Sequence, residues 1–507
     1  MKYKRVRNTR RNALWGLTEK ALSIFLPFLV RTALIRSLGV SYAGVSGLFT
    51  AILQVLNMAE LGLGSAVIYC LYRPLAVNDD AAVRALLRFY RNACRWAGFV
   101  LLGAGLTLTP FLKYLVRGSY PPGLNLYFVY GAYLLHSAVG FFVFPERKAL
   151  LSALHRQDML SKAAMLSRLF TGTLQLLALI LARDYHLYIL FLPLTALADS
   201  LLCAFWAKTR CPAYACVGEI SGETRKLIRE KIRGLLIHRI CGSTRNAFDS
   251  LFISYYLGLA AVGIYGNYFY ILTSVRGLLD AVTVAMSAGV GNSVAAESVE
   301  KNRKDLFSLS FLYALLCGWC VSCLLALYQP FMRLWCGGDM LLDEAAVIAF
   351  CVYFYVWTLG DIKSQYADAR GLWWKDRYRS LCESASNLAL NWLLVRFFGI
   401  TGVVLATAIS ILFLGFPWSL RILFRDYFGL ASLPEYLRAQ GLFALVTVGV
   451  CAVNGFVCDQ IALDGLAGLI LPGLICLVLP PALYALAYWK TRYFRDALPL
   501  IRALFRQ

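Results

Sequence analysis

The sequence predicts an all-α integral membrane protein with about 14 transmembrane helices. Hydrophobic residues make up 60% of its 507 residues and charged residues only 15%, whereas soluble proteins carry about 25% charged residues. Apolar stretches of about 20 residues, the length that crosses a bilayer, recur along the whole chain. The net charge of +22 comes mainly from short segments between these stretches, a pattern that orients helices in a membrane. This distribution argues against a soluble enzyme and against a nucleic-acid-binding protein.

Fourteen segments have the length and the apolar character of a membrane span. They comprise residues 12–37, 43–70, 96–116, 123–144, 162–182, 186–206, 234–257, 262–290, 306–328, 343–362, 380–398, 400–420, 437–457 and 464–488. When alternate connections are assigned to the inside, those connections and their edges hold 40 of the 50 Lys and Arg residues. One missed helix would invert every later connection, so the pattern predicts an even number of spans with both termini in the cytoplasm.

A repeat divides the chain into two halves. Residues 38–52 read LGVSYAGVSGLFTAI and residues 257–271 read LGLAAVGIYGNYFYI. Both copies fall on outside turns, and six spans separate them, so they share one orientation in the membrane. This predicts two six-helix lobes related by a parallel repeat, followed by two further helices. The shared glycines are predicted to permit a tight turn and close helix approach; they are Gly39, Gly44, Gly47, Gly258, Gly263 and Gly266.

The predicted domains follow from this repeat. An N-terminal lobe covers residues 1–210 and a C-terminal lobe covers residues 234–425. The basic segment 211–233 between them is predicted to be a cytoplasmic amphipathic linker on the anionic leaflet. Residues 426–507 are predicted to form a terminal pair, the thirteenth and fourteenth spans.

The sequence carries few signs of catalytic or metal chemistry. It has no GxxxxGK phosphate loop, and its four histidines lack zinc-site spacing. The CxxCxxC run of Cys317, Cys320 and Cys323 lies in an apolar stretch without an evident fourth ligand, which favours packing residues over an iron–sulfur site. The longest stretch outside the predicted spans has about 30 residues, around 207–233. We therefore predict neither an enzyme nor a metal site or cofactor.

Charged residues inside the predicted spans are the candidate functional residues. A charge in the middle of a bilayer costs at least about 2.5–3.5 kcal/mol, so it normally faces a cavity, a partner or a pathway. The residues are Glu19, Lys20, Arg31, Glu60, Arg245, Asp249, Arg276 and Asp280. The last four form two i, i+4 pairs that can neutralise each other along one helix.

Two interpretations of these charges stay open. In one, they are structural ion pairs. In the other, Arg31, Arg245 and Arg276 line a cationic cavity, because a guanidinium matches phosphate oxygens bidentately, and Lys20, Glu60, Asp249 and Asp280 are coupled charges. A cavity of this kind would suit an anionic, phosphorylated substrate. Three other polar residues, His136, Asp199 and Glu383, are predicted to be packed groups hydrogen-bonded to a neighbour.

Three segments carry a resemblance to a known family. They are RTALIRSLGVSYAGVSGLFTAILQVLNMAELGLGSAVIYCLYRPLA at 31–76, the second copy of the repeat at 257–271, and GITGVVLATAIS at 399–410. With the 14-helix layout, the chain resembles polysaccharide or lipid-linked oligosaccharide flippases of the multidrug/oligosaccharidyl-lipid/polysaccharide (MOP) exporter superfamily.

The resemblance implies a function and its partners. The cargo would be an undecaprenyl-pyrophosphate-linked oligosaccharide, an anionic glycan moved from the inner to the outer leaflet of the bacterial cytoplasmic membrane by alternating access. Membrane lipids, a glycan polymerase and glycosyltransferases of the same pathway would be its partners. No cofactor is predicted, and whether H⁺ or Na⁺ is coupled to transport stays open.

Two alternatives stay open, one within transport and one from another class of function. A cation-coupled multidrug exporter would use the same fold, but the basic residues in the spans favour an anionic cargo. A membrane enzyme of glycan assembly would usually need a larger extramembrane surface than this sequence offers.

Overall fold

The computed structural model describes residues 2–57, 62–116, 120–210, 214–461, 463 and 465–504. Within these residues the chain forms helices and turns, without a β-strand, so the all-α prediction is confirmed. The chain folds into two compact units, Met1–Gly263 and Ile264–Gln507. The finer domain boundaries given above stay predictions.

Within the described residues, the first unit consists mainly of 11 helices. They are α1 (Lys2–Leu38), α2 (Val40–Leu56), α3 (Leu63–Val77), α4 (Asp80–Leu108), α5 (Leu112–Leu115), α6 (Leu126–Phe142), α7 (Pro145–Ala153), α8 (Gln157–Leu177), α9 (Tyr185–Leu190), α10 (Leu192–Arg210) and α11 (Gly222–Leu257).

The next helix, α12 (Leu259–Ala296), begins in the first unit and contributes most of its length to the second. The second unit then continues with α13 (Val299–Cys336), α14 (Glu344–Leu359), α15 (Asp361–Ala369), α16 (Trp373–Ile409), α17 (Phe416–Leu423), α18 (Leu433–Asp459), α19 (Ala467–Tyr488) and α20 (Arg492–Leu504).

The helices have the lengths that a multi-pass membrane protein requires. Ten helical segments of the described residues are long and apolar enough to cross a bilayer, and α6 with α7 adds another if this bent pair is one span. The predicted span 43–70 is divided between α2 and α3. The predicted spans 380–398 and 400–420 lie on one helical segment that is broken at Gly399, whose φ of 55° and ψ of −131° are not helical.

A bend between α6 and α7 places residues of α7 in the wall of a cavity in the first unit. The two helices meet at 55°. Phe144 between them adopts a left-handed conformation with φ of 51°. Pro145 follows as the first residue of α7; since proline has no N–H group, it cannot continue the hydrogen-bond ladder of α6 but fits the first turn of a new helix.

The predicted linker is part of a long helix. From Gly222 onward, its residues belong to α11, which continues without a break to Leu257. Ile228 is buried in a core cluster with side chains of α3, α4 and α7. Cys216, in the preceding loop, packs against the same cluster, and burial raises the pKa of its thiol. This part of the segment is therefore stabilised by protein contacts within the first unit.

The repeated glycines have the structural role that the sequence predicts. Gly39 and Gly258, which precede α2 and α12, have φ values of 102° and 86°, a region that favours glycine. The two copies also touch each other inside the first unit. A Cβ atom on Gly44 would overlap the Leu259 carbonyl oxygen, and a Cβ on Gly263 would overlap the Val40 carbonyl oxygen. Glycine at these positions allows two helix backbones to cross in contact.

The predicted orientation in the membrane leads to a labelling experiment. In a variant whose Cys211, Cys216 and Cys382 are replaced by serine, Asp339→Cys should react with an impermeant maleimide in intact cells. Lys226→Cys should react only after the membrane is opened, since the basic segments are predicted to be cytoplasmic. Both native side chains are exposed. Labelling of position 226 in intact cells would contradict the predicted topology.

Candidate functional site

A cavity of about 1030 Å³ lies within the first unit. Its walls come from α2, α3, α4, α6, α7, α8 and α10. This volume is at the upper end of the range of about 300–1,000 Å³ that is typical of ligand sites. The bend after α6 forms part of the cavity, because it places Lys148 and Ser152 of α7 in the wall.

The lining of this cavity is polar but almost free of charge. Its neutral hydrogen-bonding side chains are Thr50, Gln54, Asn57, Ser65, Tyr90, Tyr133, Ser137, Ser152 and Gln157. Lys148 is the one Lys or Arg among the described lining residues, which include no Asp or Glu. The aromatic ring of Phe141 adds apolar surface. Such a surface suits a ligand with many hydroxyl groups, because each polar group that leaves water needs a new partner.

Local contacts fix several of these side chains. Asn57 donates from Nδ2 to Ser137 Oγ at 3.4 Å, which joins the end of α2 to α6. The Lys148 ammonium lies 2.6 Å from Asp199 Oδ2 on α10. The ring nitrogen Nδ1 of His136 lies 2.9 Å from the Leu192 carbonyl oxygen. His136 and Asp199 are thus hydrogen-bonded to neighbours, as predicted.

Apart from His136, the polar residues of this cavity were not identified from the sequence. Lys148 lies in a connection that was predicted to be cytoplasmic. Gln54 and Asn57 lie in a glycine-rich predicted span and were not predicted to bind a ligand. A signal was available, since Thr50, Gln54 and Asn57 recur at helical spacing on one face of α2. That face lines the cavity because α3, α6 and α7 pack around this part of α2. The spacing of residues along α2 does not show which helices are its neighbours.

At the N-terminal end of the chain, two of the predicted charges contact groups on other helices. Arg31 donates from Nη2 to the Gly263 carbonyl oxygen at 3.1 Å, so it joins α1 to the first residues of α12. Glu19 forms an ion pair with Arg168 of α8, while Lys20 is exposed. The structural-pair interpretation therefore applies to Glu19.

Arg245 and Asp249 lie on α11 in the first unit. Asp249 is buried and Arg245 is half-buried on α11, and both have interaction partners. Glu60 lies outside the described residues. Arg31 and Arg245 belong to the first unit and Arg276 to the second, so the cavity lined by three arginines stays a prediction.

In the second unit, Arg276 is the centre of a buried charge cluster, the Arg276 cluster. Its Nη2 donates to Asp361 Oδ1 at 2.8 Å and its Nη1 donates to Asp361 Oδ2. It also pairs with Asp280 at 3.1 Å, which confirms the predicted i, i+4 contact. The Tyr313 hydroxyl donates to Asp361, and the guanidinium carbon lies 5.0 Å from the centre of the Trp357 ring. The guanidinium is therefore held by two carboxylates and one aromatic ring.

A second set of hydrogen-bonded polar side chains in this unit lies along α16. Glu383 accepts a hydrogen bond from Arg379, which also binds Asp376 through two nitrogens. Asn387 donates to Thr407 Oγ1 at 2.9 Å. The prediction that Glu383 is a packed polar group paired with a neighbour is confirmed. No group of three or more His, Cys, Asp or Glu residues in the described part of the chain is arranged to hold a metal ion.

The fold is shared with known transporters. The lipid II flippase MurJ in an inward closed conformation is 15% identical, with a TM-score of 0.67, over 94% of this chain and 98% of that chain. An inward-facing multidrug resistance transporter of the MATE family is 16% identical, with a TM-score of 0.61, over 83% and 99%. A MOP superfamily transporter from Pyrococcus furiosus is 16% identical, with a TM-score of 0.51, over 84% and 97%.

No protein-family model and no curated protein matches the sequence. At identities of 15–16%, the similarity to solved structures concerns the fold. The chain therefore has the fold of MOP superfamily transporters, and the resemblance found in the sequence is confirmed at that level.

Proposed function

We propose that this protein is a flippase for a lipid-linked glycan. It moves an undecaprenyl-pyrophosphate-linked oligosaccharide from the inner to the outer leaflet of a bacterial cytoplasmic membrane, for the export of cell-surface polysaccharide. Both termini lie in the cytoplasm, and access to the cargo alternates between the two sides, as is general for transporters built from repeats. Glycosyltransferases act before this step and a polymerase acts after it.

The observation that carries the proposal is the neutral polar lining of the first-unit cavity. An oligosaccharide has a hydroxyl or an amide on nearly every carbon, and moving these groups through hydrocarbon without partners costs several kcal/mol each. Gln54, Asn57 and Gln157 each offer both donors and acceptors. The polyprenyl tail needs no such partners and stays in the bilayer.

The same lining argues against the alternative function, that of a cation-coupled multidrug exporter. A lipophilic cation, the cargo of a cation-coupled multidrug exporter, would be stabilised by a carboxylate that faces the cavity. The described lining residues include no Asp or Glu, so none of them supplies such a carboxylate. The fold itself is compatible with both cargoes, since the similar structures include a lipid II flippase and a multidrug resistance transporter.

Transport in proteoliposomes distinguishes the two functions. The purified chain is reconstituted with undecaprenyl-pyrophosphate trisaccharide, and exposure of the sugar on the outer leaflet is measured with an impermeant glycosidase. We expect protein-dependent exposure, and we expect no uptake of ethidium under an imposed H⁺ or Na⁺ gradient. Ethidium uptake without glycan exposure would support the exporter and reject the flippase.

Substitution of the cavity residues tests where the glycan binds. Replacing both Gln54 and Asn57 by leucine should lower the flipping rate by about tenfold or more, since sugar hydroxyls would lose partners inside the cavity. Gln175→Leu is the matched control, because Gln175 of α8 does not line the cavity. An unchanged rate in the folded double variant would show that the glycan does not use this cavity.

A further inference from the structure

The pair of Lys148 and Asp199 sets the charge of the first-unit cavity. Lys148 lines the cavity from α7, and its Nζ lies 2.6 Å from the Oδ2 atom of Asp199 on α10. The side chains are 31% and 24% exposed, so both groups are partly shielded from solvent. Together they carry no net charge. The positive charge that Lys148 would bring to the cavity is therefore already balanced.

This balance has a consequence for the cargo. A carboxylate on a sugar would lose part of its hydration on entering the cavity. Among the described lining residues it would find no free Lys or Arg, because Lys148 has its own counter-charge. A charge that is desolvated without a partner is strongly unfavourable. Hydroxyl and acetamido groups meet a different situation, since Gln54, Asn57 and Ser137 offer neutral donors and acceptors.

We propose that the pair of Lys148 and Asp199 selects against acidic sugars and restricts the cavity to glycans built of uncharged hexoses and N-acetylated hexoses. This inference rests on the proposed flippase function and specifies the class of its cargo. The negative charge of the cargo then belongs to the pyrophosphate, and the transported repeat unit carries no uronate near the cavity. Asp199 acts as a positioning and charge-balancing residue, because it acts through Lys148.

The experiment compares two cargoes that differ in one group. Both are trisaccharides of glucose and N-acetylglucosamine on undecaprenyl pyrophosphate, and one has glucuronic acid in place of a glucose. The measured quantity is the ratio of the flipping rates, neutral over acidic. We expect the wild-type protein to favour the neutral cargo. Asp199→Asn should lower the ratio by about tenfold, since the released lysine can pair with the uronate.

Two further variants make this test specific. Lys148→Gln should raise the ratio, because the unpaired Asp199 repels a carboxylate. The double variant Lys148→Gln/Asp199→Asn removes both charges and should return the ratio close to the wild-type value. A purely structural role of the pair would change both rates together and leave the ratio constant. Asp496→Asn is the matched control, because Asp496 pairs with Arg492 at 3.3 Å on α20 and does not line the cavity.

The possible outcomes separate this inference from the flippase proposal. If the wild-type protein flips the neutral cargo and Asp199→Asn leaves the ratio unchanged, the inference is wrong and the flippase function stands. If the wild-type protein flips neither cargo, the flippase function is rejected. The binding of the two free trisaccharides to the detergent-solubilised full chain then decides the inference. Equal binding of both, or binding of neither, would overturn it.

Discussion

Gly44→Ala is expected to disrupt the packing of the first unit and to abolish transport. The added methyl group would overlap the carbonyl oxygen of Leu259, a backbone atom that cannot move aside as a flexible side chain can. Relief would require α2 to separate from the start of α12. Overpacking of a buried contact typically costs about 1–3 kcal/mol and occasionally more. We expect the upper end of this range, because the obstruction lies in the backbone.

The measurement is thermal unfolding of the detergent-purified protein, with flipping assayed in proteoliposomes. Gly103→Ala serves as the control, since Gly103 lies within α4 and a Cβ there meets nothing within 4 Å. Alanine is the better helix former, so this change should be neutral or stabilising by up to about 1 kcal/mol. Equal melting temperatures of the Gly44→Ala and Gly103→Ala variants would contradict the close crossing of the repeated glycines.

Asp361→Ala is expected to destabilise the second unit by about 3–5 kcal/mol, the usual cost of removing one partner from a buried ion pair. The side chains of Arg276 and Asp361 are only 11% and 14% exposed. Without Asp361, the guanidinium loses its bidentate partner, and the Tyr313 hydroxyl loses its acceptor. Asp361 is also the first residue of α15, where the helix dipole favours a negative charge.

Asp280→Ala is the control for this prediction, because Asp280 binds the same arginine but its side chain is 50% exposed. An exposed pair contributes about 0–1 kcal/mol, so this variant should unfold close to the wild-type temperature. If Asp280→Ala proves as destabilising as Asp361→Ala, burial is not what gives the Arg276 cluster its strength.

A double variant then separates stability from substrate binding. Arg276→Met/Asp361→Leu removes both charges and substitutes apolar side chains, an exchange that is often neutral or stabilising for buried pairs. If this variant folds and still flips the glycan, Arg276 is a structural residue. If it folds and does not flip, Arg276 keeps its predicted place in the substrate pathway, because the loss then has no structural cause.

The sequence predicted much of the fold because its strongest signals are one-dimensional. The length of an apolar stretch and the position of Lys and Arg depend on the surrounding bilayer and water, so they can be recognised without knowing which helices are neighbours. The glycines of the repeat can likewise be recognised from the sequence without knowing which helices are neighbours. Gly39 and Gly258 are needed for a backbone conformation with positive φ, which is a property of the residue itself.

Where the chain breaks a helix was harder to predict. The span 43–70 was expected as one helix and is divided between α2 and α3. The turn at Phe144 and Pro145 also brings a short charged helix back against the bundle. The local composition allows such breaks, but their geometry depends on the helices packed around them.

The sequence by itself determined the all-α membrane architecture, the parallel repeat and the residues that interrupt the apolar spans. Only the tertiary structure decided which of those residues meet. Helical spacing pairs Arg276 with Asp280 on the same helix, yet its bidentate partner is Asp361, 85 positions away. Lys148 pairs with Asp199 across two helices in the same way. The physical reason is that helical periodicity fixes the face on which a side chain lies, whereas its partner depends on the helix that packs against that face.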